Sequence, residues 1–395
     1  MPDSPVPPPG EYLGAAFQII ANASLKRSEV DMTALELLVA ARASELESVA
    51  DAHAAIKDIL SQLNDNHSFL LTAEQAQFTP APDSAGWRLH WEKPVIIDVT
   101  AGGPADRAGV RPGDLLCEVN GQPVSGDNWH SHFRNALAAG APLVVEKPDG
   151  TVNRLNLERG FKQVPSQPQI RMANDSIGLL DLPGHLGDGS FPDGTNYGSI
   201  VRNGLQELEA AGVSSWVVDL RRCDGGNMWP ILAGLTPLLG TGTYGYFVDP
   251  IADKWWGWQF DGKNLASVAP DSDETYIMAN VPNWSPLELP DVRVAVLTSR
   301  VTSSSGEAVT IAFTGREDTK FFGEPTGGLT SANNRHVLAD GAELYLAETF
   351  GADRLRRIYE SGIAPDELLV VDWANLGTTQ DLALSAALRW LTAKA

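Results

Sequence analysis

The segment from Val294 to Phe313, VAVLTSRVTSSSGEAVTIAF, constrains the fold more than any other stretch. Its opening residues, Val294 to Leu297, are uninterrupted aliphatics rich in β-branching. That is the pattern of a parallel strand buried on both faces, which requires neighbouring strands and covering helices. A serine-rich turn follows, and Gly306 to Phe313 then carries apolar spacing compatible with a helix. Such a strand–turn–helix presents a hydroxyl at a helix N-terminus, where unpaired N–H groups and the helix dipole favour developing negative charge. The same residues support a second reading. Ser304 and Glu307 fit an S-x-x-E capping box, which needs no chemistry. The segment alone leaves both open.

At 395 residues the chain is too long for one simple core, and two or three domains are expected. A composition of 43% hydrophobic and 20% charged residues is that of an ordinary globular protein, and no apolar run reaches membrane-spanning length. The net charge of −21 opposes nucleic acid and anionic membranes as partners, since both would be repelled. Cys117 and Cys223 are the only cysteines, too few for a disulfide framework or a cysteine metal site. HExxH, paired CxxC and EF-hand patterns are absent from the sequence, so neither metal nor cofactor is expected. The leading MPDSPVPPPGEYLG has neither a basic n-region nor an apolar h-region. The expectation is a cytoplasmic chain, or an exported one whose leader has been removed.

Residues 11–65 show apolar positions at three- and four-residue spacing with long stretches free of Gly and Pro, a helical cap that ends near Leu63. From about Gly86 to Gly160 the texture changes to short strands and glycine turns. In KPVIIDVTAGGPADRAGVRPGDLLCEVNGQPV, Lys93 to Val124, VIIDV reads as a strand, PADRAG as a short helix and LLCEVNG as a strand closing on the Asn120-Gly121 turn. Its order and glycines closely resemble a PDZ domain of the bacterial protease type. That resemblance implies capture of an extended C-terminal peptide as an added strand. WRLHWEKPV lacks the usual GLG-type carboxylate loop, which leaves ligand capture open. VPSQPQ, Val164 to Gln169, reads as a linker. Beyond it strands and helices alternate, the signature of an α/β core. The expected division is 1–78 helical cap, 79–163 PDZ-like domain and 164–395 α/β core.

Three features bear on the serine turn. In VVDLRRCDGGN, a buried strand runs into Gly225-Gly226, which lets backbone N–H groups approach a ligand closely; an ordinary strand-ending turn would look the same. His67 lies in the polar LNDNHSF loop and has the most promising setting of the seven histidines. His53 is within a helix, His90, His130 and His132 fall in the PDZ-like segment, and His185 and His336 in the α/β region. Glu360 precedes a turn in RIYESGIAPDELL and could orient a histidine, or be a surface acid.

Taken in order, the helical cap, PDZ segment, DLRxxxGG, the Ser-x-Gly-Glu turn, FGEPTGG (Phe322 to Gly328) and GIAPD (Gly362 to Asp366) resemble the tail-specific, or C-terminal processing, serine peptidases. The resemblance implies an α/β (α+β) crotonase-like ββα-spiral core and endopeptidase activity on peptide or protein substrates. It implies Ser304 as nucleophile, with the N–H groups of Ser305 and of Gly225 or Gly226 as oxyanion hole. The Ser–Lys branch of the family has lysine directly after the GEPTxG turn, where this chain has Leu329, and Lys320 precedes that turn. The chain is similar instead to the Ser–His branch of tricorn and the interphotoreceptor retinoid-binding proteins, whose D-x-H-[ST] loop matches Asp65-Asn66-His67-Ser68. That makes His67 the general base and Glu360 the third triad member. Cys223 departs from the family's usual asparagine. DKWWGWQF places Trp255, Trp256 and Trp258 between the glycine and serine motifs, either as core packing or as a substrate-selecting wall. Family members often assemble, so a homo-oligomer is an open expectation. A non-catalytic ligand- or peptide-binding protein on the same fold is the competing reading.

Overall fold

The computed structural model describes residues 6–77, 85–125, 137, 140–158, 161, 165–270, 274–282, 284–286 and 292–393. His130 and His132, and Val164 of the expected linker, lie outside the described residues.

The buried aliphatic run forms the strand Arg293–Thr298 near the middle of a six-stranded sheet. The strands lie in the order Glu367–Leu368, Thr319–Gly323, Arg293–Thr298, Ser215–Asp219, Ile177–Asp181 and Gln169–Asn174; only the last pair is antiparallel. Both faces are covered, as the uninterrupted apolar pattern demands. Val294 and Val296 join Trp216, Val218 and Leu180 under the helices Tyr197–Ala210, Met228–Leu239 and Ser305–Phe313. Ala295 and Leu297 join Ile177, Leu179, Val217 and Phe322 against the C-terminal helix Leu382–Thr392. The alternation follows the two-residue period of a strand.

A second, eight-stranded sheet closes the other side of the helix layer. Its order is Phe69–Leu71, Glu343–Asp353, Gly242–Asp249, Lys254–Phe260, Asn264–Val268 and Thr275–Asn280, with Ser331–Val337 and Ile358–Tyr359 also paired to Glu343–Asp353. Tyr244, Trp258, Phe260 and Leu265 from this sheet share one core with Val309, Ile311 and Phe313. Helices between two sheets are the crotonase-like ββα arrangement.

The N-terminal segment forms three helices, Pro9–Ala23, Met32–Ala43 and Val49–Leu63. The chain breaks before the third because Ser48 and Asp51 make a reciprocal capping box, Ser48 N–H donating to Asp51 Oδ2 at 2.9 Å and Asp51 N–H to Ser48 Oγ at 3.2 Å. Leu13, Phe17, Ile56 and Leu63 pack directly with Leu338, Leu344 and Leu346, so these helices share a core with the large sheet. Asn64, in the left-handed conformation at φ 53°, ends the third helix and turns the chain into the His67 loop and the strand Phe69–Leu71.

The PDZ-like segment pairs Trp87–Leu89 with Ile96–Val99, and orders Gln122–Pro123, Leu115–Val119, Leu143–Glu146 and Val152–Leu155 in a four-stranded sheet. Ile96, Ala105, Leu116, Val119 and Val145 form its own core. Asn120 (φ 52°) and Gly121 (φ 75°) supply the two positive φ angles of a tight hairpin. It is fastened to the α/β core: Asp98 accepts from Arg222 Nη1 at 2.8 Å, and Trp91 Nε1 donates to the Arg300 carbonyl at 3.0 Å.

Candidate active site

Ser215–Asp219 and Arg293–Thr298 are adjacent and parallel, with Asp219 beside Leu297, so the loops leaving their C-terminal ends are forced together. The serine-rich turn is laced to the DLRRCDGG loop. Ser299 Oγ donates to the Arg221 carbonyl (2.7 Å), Thr302 Oγ1 to Leu220 (2.8 Å) and Ser303 Oγ to Asp224 (2.9 Å), while Ser303 N–H donates to Cys223 (3.1 Å). The richness in hydroxyls is thus structural for most of the turn. It also separates the three adjacent serines. Ser303 is committed to the lacing, Ser305 is buried with its Oγ unpartnered, and Ser304 is half-buried at the N-cap, where it and Glu307 form the capping box of the helix.

Ser304 sits at φ 52° and ψ −116°, a region that costs a non-glycine residue about 1–3 kcal/mol. Its backbone is over-determined. Ser304 N–H donates to Glu307 Oε2 (3.1 Å), and its carbonyl accepts from Glu307 N–H (2.9 Å) and Ala308 N–H (3.0 Å). Glu307 is fully buried, and Oε1 accepts from Thr326 Oγ1 (2.5 Å) and Gly328 N–H (2.8 Å). Burial pushes its carboxyl above the usual range, against these hydrogen bonds and one from the Leu329 amide. One carboxylate therefore caps the helix and binds the serine turn to the FGEPTGG turn.

Gly225 holds φ 121°, and a Cβ there would lie 3.0 Å from Ser304 Cβ, so only glycine lets the two turns meet this closely. Burial, then Asp224, push the Cys223 thiol up to about 12, with the Gly225 amide and Arg88 opposing. The Gly225, Gly226 and Ser305 amides are taken by no backbone carbonyl among the described residues.

His67 lies half-buried between the cap and the large sheet. Asp65 Oδ1 accepts from the His67 and Ser68 amides (2.9 and 2.8 Å), and Asn333 Nδ2 donates to the His67 carbonyl (2.8 Å). The ring's Nδ1 is 2.8 Å from Ser331 Oγ. Burial depresses the imidazole below its ordinary value, and the Asp65 charge, then a hydrogen bond with the Ser331 backbone, partly oppose this. Ser331 follows Gly328 by three residues, at most about 11 Å of chain, and Gly328 is held by Glu307.

Glu360 is exposed and takes part in no hydrogen bond or ion pair among the described residues, so the structure does not join it to His67. Its neighbourhood is near: the Tyr359 carbonyl accepts from Thr330 Oγ1 at 2.7 Å, one residue before Ser331. Ser331 itself gave no signal in the sequence, because its contact with His67 spans 264 positions. Trp258 is fully buried, 4.7 Å from the Phe247 ring, and packs the core instead of lining a cleft. Trp255 and Trp256 are partly buried, with Trp255 edge-on to Tyr246 and beneath the Arg356 guanidinium. Among the described residues, no three His, Cys, Asp or Glu side chains cluster as metal ligands, and no helix is long and apolar enough to cross a membrane.

The fold is a ββα-spiral core bearing a PDZ domain, with a strained serine at a helix N-terminus. Residues 176–369 match the family model for Peptidase family S41, and residues 95–145 match a PDZ domain. Residues 176–369 thus carry a peptidase domain of family S41. It is 31% identical over 201 residues to the nisin-resistance protein of Lactococcus lactis subsp. lactis, covering 51% of this chain and 58% of that one. With the carboxy-terminal processing protease CtpA of Bacillus subtilis (strain 168) it shares 24% identity over 334 residues, covering 82% and 65%. The chain thus spans about three-fifths of the length of these curated relatives. Among solved structures, a lipoprotein from Streptococcus agalactiae superposes with a TM-score of 0.60 at 17% identity, covering 99% of both chains. The photosystem II D1 C-terminal processing protease gives 0.63 at 18%, covering 98% of both. At these identities the two structures carry the fold alone.

Proposed function

We propose that the protein is a serine endopeptidase of the tail-specific type, with Ser304 as nucleophile and His67 as general base. The observation that carries this reading is the state of Ser304. It has the one hydroxyl of three adjacent serines that is neither laced to a neighbouring loop nor buried, on a strained backbone at a helix N-terminus. His67 Nε2 takes the Ser304 proton as Oγ attacks a peptide carbonyl. The oxyanion is received by the Ser305 amide and that of Gly225 or Gly226. The imidazolium then protonates the leaving amine, and water releases the acyl group by the reverse route. The family S41 domain and the processing-protease names of its relatives support peptide or protein chains as substrates, with Trp255 and Trp256 as candidates for contact with apolar side chains and the PDZ domain as the candidate for engaging a C-terminus.

A fluorophosphonate probe tests the assignment. The intact mass should show one adduct on the wild-type chain and none on Ser304→Ala or His67→Ala; a wild-type chain that never labels would sink the peptidase reading. The base must be neutral to act, and its pKa is lowered. The labelling rate should therefore climb with pH through an apparent pKa below about 6.5 and be level at neutrality. An acid limb centred above pH 7 would contradict His67 as the base.

A further inference from the structure

We propose that Ser331 is the positioning residue for His67, holding the imidazole by Nδ1 so that Nε2 is left to act on Ser304. The proposal rests on the reading of His67 as the base. A neutral imidazole has one donor and one acceptor nitrogen. If Nε2 is to accept the Ser304 proton, Nδ1 must carry the hydrogen, and its partner must accept. Ser331 Oγ is that partner, at 2.8 Å.

Both ends of the histidine are held by rigid elements. Its backbone is set by Asp65 and Asn333 as described, and Ser68 Oγ both donates to Asp65 Oδ2 (2.6 Å) and accepts from the Ala347 amide (2.9 Å). Its ring is set by the first residue of the strand Ser331–Val337, where Ser331 pairs with Phe350 of Glu343–Asp353. Asn333, two residues on, pairs with Ala347, so one strand fixes both the ring and the carbonyl of His67. No carboxylate occupies the Nδ1 side. Glu360 is exposed and unpaired among the described residues, and the Asp65 oxygens are taken by the loop's own amides and the Ser68 hydroxyl. A hydroxyl can accept or donate, so Ser331 Oγ holds the ring by Nδ1 without dictating the tautomer by itself, and it stabilises the imidazolium less than a carboxylate does; Asp65, then the Ser331 backbone, are the groups that favour the cation on this ring.

The test follows the second-order rate of fluorophosphonate labelling against pH in full-length Ser331→Ala, Ser331→Thr and Ser331→Asp, with His67→Ala as reference. The His67 Nδ1 resonance is read by nitrogen NMR in the Ser304→Ala background. Ser331→Ala should label about 10- to 100-fold more slowly, the effect of one neutral hydrogen bond lost at a half-buried site, and should shift the Nδ1 resonance, which loses its hydroxyl partner. Ser331→Thr should recover the rate and the wild-type Nδ1 resonance. Ser331→Asp should move the acid limb to higher pH, because a carboxylate at Nδ1 favours the cation, a displacement that a merely structural serine would not produce. Ser331→Ala with the wild-type rate, pH profile and Nδ1 resonance overturns the proposal while leaving His67 as base. A His67→Ala chain that labels normally overturns the base assignment itself. A larger loss from Glu360→Gln than from Ser331→Ala would give the positioning role to the carboxylate. Should Ser331→Ala fail to fold, the Thr and Asp variants still decide.

Discussion

Ser304→Ala should lower hydrolysis of an unfolded protein substrate by about a million-fold while leaving the thermal midpoint close to that of the wild type. The two halves of this expectation have separate causes. Activity is lost because no other hydroxyl can stand in: Ser303 is bonded to the Asp224 carbonyl and Ser305 Oγ is buried. Stability is kept because the bonds that hold the turn run through the Ser304 amide and carbonyl, which alanine retains. Alanine also bears the same positive φ as serine, so the strain is neither added nor relieved. Ser303→Ala is the contrasting control. It removes one hydroxyl from the lacing, and should cost roughly 1–2 kcal/mol of stability while labelling by fluorophosphonate persists. Turnover by Ser304→Ala above about a hundredth of wild type, or labelling lost in Ser303→Ala but retained in Ser304→Ala, would move the nucleophile elsewhere.

The parts of this site that were legible in the sequence are those that a continuous segment encodes. The strand, turn and helix around Ser304, the double glycine after a buried strand, and the glycine pattern of the PDZ-like segment each depend on neighbours in the chain. Choosing among three adjacent serines required a different kind of information. Their hydroxyls differ only in what the DLRRCDGG loop offers them, and that loop lies about eighty positions away. The partner of His67 was hidden for the same reason at greater distance. Ser331 has no local context that marks it, and it meets the imidazole only because the strand after His67 and the strand that begins at Ser331 flank opposite edges of Glu343–Asp353. Glu360 shows the converse failure. A motif position next to a turn fixes where the backbone goes, but whether its carboxylate reaches inward depends on a side chain that is exposed here. Core packing and a cleft wall stayed open for Trp255, Trp256 and Trp258 because three tryptophans within four residues of one strand cannot share one environment, and the sequence does not say which face the sheet will cover.

Arg221→Met should destabilise the protein by about 3–5 kcal/mol, read from urea unfolding, and should also abolish labelling. The arginine of the DLR motif is 2% exposed. Its guanidinium makes two bonds to Asp219, from Nε to Oδ1 (2.9 Å) and from Nη2 to Oδ2 (2.6 Å), and one from Nη1 to Asp381 Oδ1 (2.9 Å). Asp381 in turn caps the C-terminal helix, accepting from the Leu384 amide at 3.1 Å, and accepts from Gly377 at 2.8 Å. Burial opposes charge on Arg221, and the two carboxylates more than offset it, so the group is held more firmly protonated than a free arginine. Burial likewise opposes ionisation of Asp219, and Arg221 reverses that, holding its carboxyl below the usual range. Methionine would take the guanidinium from two buried carboxylates and leave Asp219 with only Arg222 as counter-charge, so that the Asp219 pKa would rise above the unfolded one. The penalty is then full at neutral pH and is relieved as Asp219 takes up a proton. In the wild type the stabilisation from the depressed Asp219 is instead lost as pH falls. Both effects have the same sign, so the gap between wild type and Arg221→Met should narrow as pH is lowered from 7 towards 4. Adding Asp219→Asn and Asp381→Asn to the methionine variant should recover part of the loss at neutral pH, because the charges that lost the guanidinium are removed. Labelling should not return with stability, since the loop that carries Gly225 and Gly226 starts at this arginine and loses its anchor to the strand end. A gap that is below about 1 kcal/mol, or that does not change with pH, would show that the arginine is not the counter-charge holding that loop.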